Sequence, residues 1–312
     1  MTARFPFCVL LPIIALSLPV GAQAAVSCPP GPDRVAVQVR AGVVFDAASG
    51  LYTYSYEVAN GASSAQAVES FGVDVIPPIA SSILAPKGWM GTPIDARPRV
   101  EWDALEVANP DVVTNDASVP PSTVQIPPGR VATGFSFRSQ VPPGIGAFHA
   151  SGFVEFKGVS AAAPGEAERL AEELVEACPN LRKPLLDQGV TGRTIVPVQG
   201  TSVRIDVKPG EAPNPVNPRS QGVIPVAILG TGALDVRTLD VASARLGVGQ
   251  VGARGGGHVE DVNGDGRADL VLQFPTQGTE LRCGDTVLVL TGRTTSGGSI
   301  SGFDSVVTAG CR

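Results

Sequence analysis

Histidine is almost missing from this chain: His149 and His258 are its only two imidazoles in 312 residues. They do not stand in a His-Glu-x-x-His pattern, so zinc hydrolysis of that kind has no ligands to work with. No Gly-x-Ser-x-Gly elbow and no P-loop occurs either, which removes the familiar serine-hydrolase and nucleotide-triphosphate signatures. Basic residues are scarce as well. Lys and Arg number 23 against 29 Asp and Glu, a formal charge of −6, which argues against a nucleic-acid or anionic-membrane partner. After the first 24 residues no apolar run reaches the length of a membrane span, so none is expected.

The abundant residues are turn formers. The chain carries 37 Gly and 28 Pro with only 17% charged residues, and its apolar residues lean towards valine. Such composition favours short strands separated by tight turns, and hence β-sandwiches. The expected fold class is mainly β: two β-sandwich-like domains, the N-terminal one with a single amphipathic helix near its end.

Residues 1–24 read as a secretory signal. Arg4 is their only charge, an apolar run spans 7–20, and Ala22-Gln23-Ala24 supplies a small-x-small cleavage site. Loss of Arg4 with the leader takes the formal charge from −6 to −7. The mature chain is expected to be secreted or periplasmic, cut near Ala24. Cys28 after Ala25-Val26-Ser27 leaves a weaker lipoprotein reading open, since Ala is a poor lead residue for it. Cys8 departs with the leader, leaving Cys28, Cys178, Cys283 and Cys311. An even number in an oxidising compartment points to disulfides. Four cysteines permit three pairings; the layout favours Cys28–Cys178 and Cys283–Cys311.

Periodicity organises the rest. Residues 25–185 form the expected N-terminal sandwich, with strands at 34–44, 51–58, 70–76, 99–103, 132–139 and 147–156. In the second of these Tyr52, Tyr54, Tyr56 and Val58 share one face. An amphipathic helix is expected over 166–178, stopped by Pro179. Residues 186–201 read as a linker. Residues 202–312 form the second domain, with strands at 222–229, 244–248, 270–274, 286–291 and 305–308.

The stretch with the clearest chemistry is Asp261-Val262-Asn263-Gly264-Asp265-Gly266-Arg267-Ala268-Asp269. A hard cation such as Ca²⁺ takes about six to eight oxygens. Asp261, Asn263 and Asp265 would supply the first three, the backbone carbonyl of Arg267 the next, and Asp269 one more, directly or through water. Gly266 permits the sharp turn. Leu272 stands where a helix–loop–helix site would place a bidentate Glu, and residues 270–274 read as a strand. The loop therefore resembles the Asp-x-Asn-x-Asp-Gly-x-x-Asp-Leu loops of FG-GAP and VCBS-type repeats. The alternative is a polar turn that binds nothing. Without the Glu, affinity is expected on the order of 10⁻⁴–10⁻³ M, as in extracellular modules.

A wider pattern surrounds this loop: Ile205-Asp206-Val207-Lys208-Pro209-Gly210, Pro213-Asn214-Pro215-Val216-Asn217, a run over 222–229, Glu260 to Gly266, Thr276-Gln277 and Cys283-Gly284-Asp285-Thr286. It resembles a C-terminal module that recurs in secreted bacterial proteins, over roughly the last 110 residues. The resemblance implies a calcium-loop β-module and no reaction.

Other chemistry is thinner. Tyr52, Tyr54 and Tyr56, with Trp89 as a further aromatic, could stack on sugar rings if exposed. More often such a stripe is the inside of a sandwich. Glu101, Asp103 and Glu106 beside Trp102 could form a hydrolytic carboxylate pair or a solvated strand edge. Gly247-Val248-Gly249-Gln250-Val251-Gly252 has the letters of a dinucleotide fingerprint without a helix after it. His149 is expected to be structural, and His258 a hydrogen-bonded loop residue. Expected partners are an extracellular glycan or a surface protein. The functional expectation is a non-catalytic calcium-binding protein; an adhesion or carbohydrate-binding module and an extracellular hydrolase are the alternatives.

Overall fold

The computed structural model describes Cys28 and residues 30–77, 79–94, 98–105, 124–154, 176–178 and 185–311. The protein is mainly β, as its composition led us to expect. The signal segment and Glu106 lie outside the described residues, as does most of the helix expected over 166–178; of that helix, Glu176 and Ala177 are helical. Among the described residues no helix is long and apolar enough to cross a membrane.

The first sandwich opens with β1 (Val37–Asp46) and β2 (Leu51–Asn60), an antiparallel pair in unbroken register from Val37↔Asn60 to Asp46↔Leu51. β3 (Val68–Asp74), β4 (Ile79–Leu84), β5 (Trp89–Ile94), β6 (Arg99–Ala104), β7 (Val131–Ser139) and β8 (Pro143–Gly152) follow. A short helix, α1 (Leu185–Gln188), leads into β9 (Val190–Pro197). One sheet runs β1-β2-β7-β4 and the other β5-β6-β3-β8-β9. Between them lie Tyr54, Val58, Phe71, Val73, Trp102, Phe135 and Phe137, all fully buried. Burying an aromatic here removes on the order of 150–250 Å² from water, which is why these rings sit between the two sheets. Gly134, with φ of +101°, is the extra residue of a bulge where β7 slips against β2 between Tyr56 and Glu57.

The stretch expected as a linker, 186–201, carries a strand instead. All eight residues of β9 pair with β8, from Ala150↔Val190 to Pro143↔Pro197. Gly192 lies inside this strand. In the structure a Cβ there would meet the Phe148 ring at 2.4 Å, so the glycine makes room for a neighbour. β4 and β5 were also absent from the expected strands: β4 is a short Ile-Ala-Ser-Ser-Ile-Leu segment without alternation, and Gly91 and Pro93 interrupt β5.

The second module holds two further sheets. β10 (Thr201–Ser202), β19 (Ser299–Ser305), β18 (Val287–Thr294), β14 (Leu239–Leu246) and β15 (Val251–Gly252) form one in that order. β11 (Ile205–Val207), β13 (Val223–Ile228), β17 (Asp269–Pro275) and β16 (His258–Glu260) form the other. A short parallel pair, β12 (Pro215–Val216) and β20 (Val307–Thr308), completes it. Val226, Leu246, Leu272, Phe274 and Leu290 are fully buried between the sheets. The cysteines pair as Cys28–Cys178 and Cys283–Cys311.

The halves of the chain share packing. Val287 and Val289 of β18 belong to the same buried cluster as Phe148 and Ile195, and Phe303 packs edge-on against Tyr52 at 6.0 Å. Arg40 of β1 reaches across to Asp285 at 3.3 Å and to the Cys283 carbonyl at 3.0 Å.

Candidate metal centre

Residues 261–268 connect β16 to β17, an antiparallel pair in which Glu260 stands opposite Asp269. The segment after the loop is thus a strand, as the aliphatic run Leu270-Val271-Leu272 required. Gly264 and Gly266 take φ of +70° and +80° with open space around them. Glycine is needed here for its backbone and not for its size.

The loop curls around its own polar side chains. The Asp261 carboxylate accepts from the N–H groups of Asp265 at 3.1 Å and Gly266 at 2.8 Å. Asn263 Oδ1 accepts from Asp265 N at 3.0 Å, and Asp265 Oδ1 accepts from Arg267 N at 2.9 Å. Asn263 Nδ2 also donates to Asp265 Oδ2 at 3.3 Å. Asp261, Asn263, Asp265 and Arg267 are exposed. Each carboxylate oxygen keeps a second acceptor direction after such a bond.

Asp269 differs from the others. It is fully buried. One carboxylate oxygen accepts from Gly230 N at 2.7 Å and the other from Val262 N at 3.0 Å. It pins the base of the loop to the turn after β13, so a cation could draw only on lone pairs left beyond those two bonds. Among the described residues, no three His, Cys, Asp or Glu side chains converge as a ready-made metal cage. The donor set therefore fits Ca²⁺ only as a mixed one: Asp261, Asn263 and Asp265 from the exposed arc, the Arg267 carbonyl, water, and a shared Asp269. His258 bonds Glu260 at 3.1 Å on β16, both side chains exposed.

The other candidates lie elsewhere. Tyr52, Tyr54 and Tyr56 are 7%, 0% and 2% exposed, and Trp89 is 6% exposed. Their rings cannot serve as a platform, because strand alternation turns the whole stripe into the core. Tyr54 stacks on Phe137 at 5.1 Å and donates to the Val141 carbonyl at 2.7 Å. The Trp89 indole donates to the Val124 carbonyl at 2.8 Å. Glu101 and Asp103 point away from buried Trp102. Asp103 accepts from Ser70 Oγ at 2.6 Å, and burial raises its carboxyl above the usual range despite that bond. Residues 247–250 form the turn between β14 and β15, and Val251 and Gly252 are β15 itself, so no helix follows the glycines.

A polar hub on the outer face of the second sheet had no signal in the sequence. Arg99, itself 7% exposed, meets Glu101 at 3.2 Å, Asp187 of α1 at 3.1 Å and His149 at 3.2 Å, with Asp74 at 3.6 Å. His149 bonds Asp74 at 3.0 Å. These residues come from three strands and a helix, and only packing brings them together.

No known family model matches the chain, and no curated protein matches it.

Proposed function

We propose that this is a secreted, non-catalytic β-protein with a structural or surface-binding role, whose C-terminal module takes one Ca²⁺ in the loop 261–269. The observation that supports this is the inward curl of Asp261, Asn263 and Asp265 around the turn at Gly266. Among the described residues the carboxylates of Asp261 and Asp265 are met by N–H groups and carry no ion pair. Uncompensated like charges in one turn repel, and a hard cation relieves that repulsion. Bound Ca²⁺ would supply positive charge that fixes the loop and, through Asp269, the start of β17. Two disulfides fit an oxidising compartment. At a free concentration about ten times Kd, Ca²⁺ would add about 1.4 kcal/mol of stability.

The test is calorimetric titration of the disulfide-intact protein with Ca²⁺, alongside thermal melts with Ca²⁺ and with chelator. Saturable binding lost in both Asp265→Ala and Asp261→Asn is the expected result. No heat and no shift at millimolar Ca²⁺ would leave the loop a plain polar turn.

A further inference from the structure

Where the open edge of the first sandwich meets the second module, β1, β9 and the loop before β18 enclose a small cleft of about 60 Å³. Three arginines from distant parts of the chain line it: Arg40, Arg193 and Arg282. The protein is acidic overall and has few basic residues, so this convergence runs against its average charge. Val39, Val248 and Val287 supply apolar wall.

The three arginines are not equivalent. Arg40 is committed: it bonds Glu57, Asp285 at 3.3 Å and the Cys283 carbonyl at 3.0 Å. It acts as scaffold. Arg193 is half-exposed, and the carboxylate beside it, Glu280, stands at 3.8 Å and is equally exposed. A pair of that kind is worth little and exchanges easily. Arg282 is exposed, and its backbone N–H, not its guanidinium, holds Asp285 at 2.6 Å. Two arginines therefore line a recess of mixed polar and valine wall without strong commitments of their own.

We propose that this cleft binds an oxyanion group, a carboxylate or a sulfate, between Arg193 and Arg282, with Glu280 displaced and the valines against the ligand's carbon skeleton. The guanidinium fork matches two oxygens of such a group at once. The group can come from an acidic sugar of an extracellular polysaccharide or from a free inorganic anion. None of these residues belongs to the calcium loop, so the inference goes beyond the calcium reading and is tested separately from it.

The experiment is calorimetric titration of the intact, disulfide-bonded protein at constant ionic strength with a uronic-acid trisaccharide, its neutral counterpart and sodium sulfate. The uronate should bind saturably and the neutral sugar should not. Arg193→Gln with Arg282→Gln should weaken binding about tenfold or more. Glu280→Gln should tighten it, because the competing carboxylate is gone. Sulfate binding with the same variant pattern, and no uronate binding, would uphold the site with the free ion as its ligand. Equal binding of charged and neutral sugars, no binding of either anion, or affinity indifferent to all three substitutions would overturn the proposal. Both arginines are exposed, so unchanged melting of the variants serves as the folding control.

Discussion

The buried carboxylate of Asp269 accepts a hydrogen bond from the backbone N–H of Gly230 at 2.7 Å, across 39 residues of chain. Its second oxygen takes Val262 N at 3.0 Å. One side chain thus satisfies two N–H groups at the junction of β13, the loop 261–268 and β17. Removing it strands the buried Gly230 donor and takes the partner from the half-buried Val262 N–H. Asp269→Ala is expected to cost about 3 kcal/mol, read by urea denaturation in chelator, where no metal contributes. Asp265→Ala, at an exposed position, should cost far less under the same conditions. Equal losses from the two would mean that Asp269 is no anchor.

Tyr54 offers a sharp distinction between core and binding surface. Its ring is fully buried on Phe137 and its hydroxyl serves the Val141 carbonyl. Tyr54→Phe should lose about 1 kcal/mol, the value of a single buried hydrogen bond. Tyr54→Ala should lose about 4 kcal/mol through the cavity it leaves. Any glycan binding that disappears in Tyr54→Ala but survives in Tyr54→Phe therefore reports unfolding. A Tyr54→Ala protein of native stability would contradict the buried placement.

The Cys283–Cys311 bridge closes a loop of sequence separation 28 that contains β18 and β19. Chain-entropy reasoning gives such a link about 3.5 kcal/mol. The paired substitution Cys283→Ser with Cys311→Ser is expected to lower stability by roughly that amount. The turn it secures also carries the Cys283 carbonyl and Asp285 that hold Arg40. If the link matters to docking of the two halves, Arg40→Met should lose less in the Ser pair than in the intact protein. Additive losses would separate the two effects.

The legible parts of this molecule were those with a local signature. Alternation in 51–58 placed the tyrosines on one face, and their burial follows from it. The aliphatic run 270–274 gave β17 directly. β9 was not legible, because Gly192 and Pro197 break its pattern, and the strand exists only because β8 offers a full register of partners. The tight Asx/Gly turn of 261–268 could be read from one segment, but the pin between Asp269 and Gly230 could not. Nor could Arg40–Asp285, 245 residues apart, or the hub at Arg99. These contacts are set by which strands become neighbours, and no short stretch of sequence encodes that.

Two titratable groups on the outer face of the second sheet should bend the pH profile in opposite directions. His149 has its pKa lowered from 6.5, first by burial and then by Arg99, with Asp74 opposing. The unfolded imidazole takes up its proton near pH 6.5, while the folded one resists until lower pH. Its contribution is therefore complete above about pH 6.5 and lost as pH falls through the folded value. Asp103 has its pKa raised from 3.8 by burial. Here the folded carboxyl holds its proton more tightly than the unfolded one. It favours folding in acid, and that advantage fades as pH rises through its folded value. His149→Gln keeps a donor for Asp74 and should flatten the loss of stability just below pH 6.5. Asp103→Asn keeps a partner for Ser70, removes a poorly solvated charge, and should raise stability at neutral pH while changing little below pH 3.8. Urea midpoints of the three proteins across that range decide it: parallel curves for wild type and His149→Gln, or a destabilised Asp103→Asn at neutral pH, would show that burial does not govern these groups.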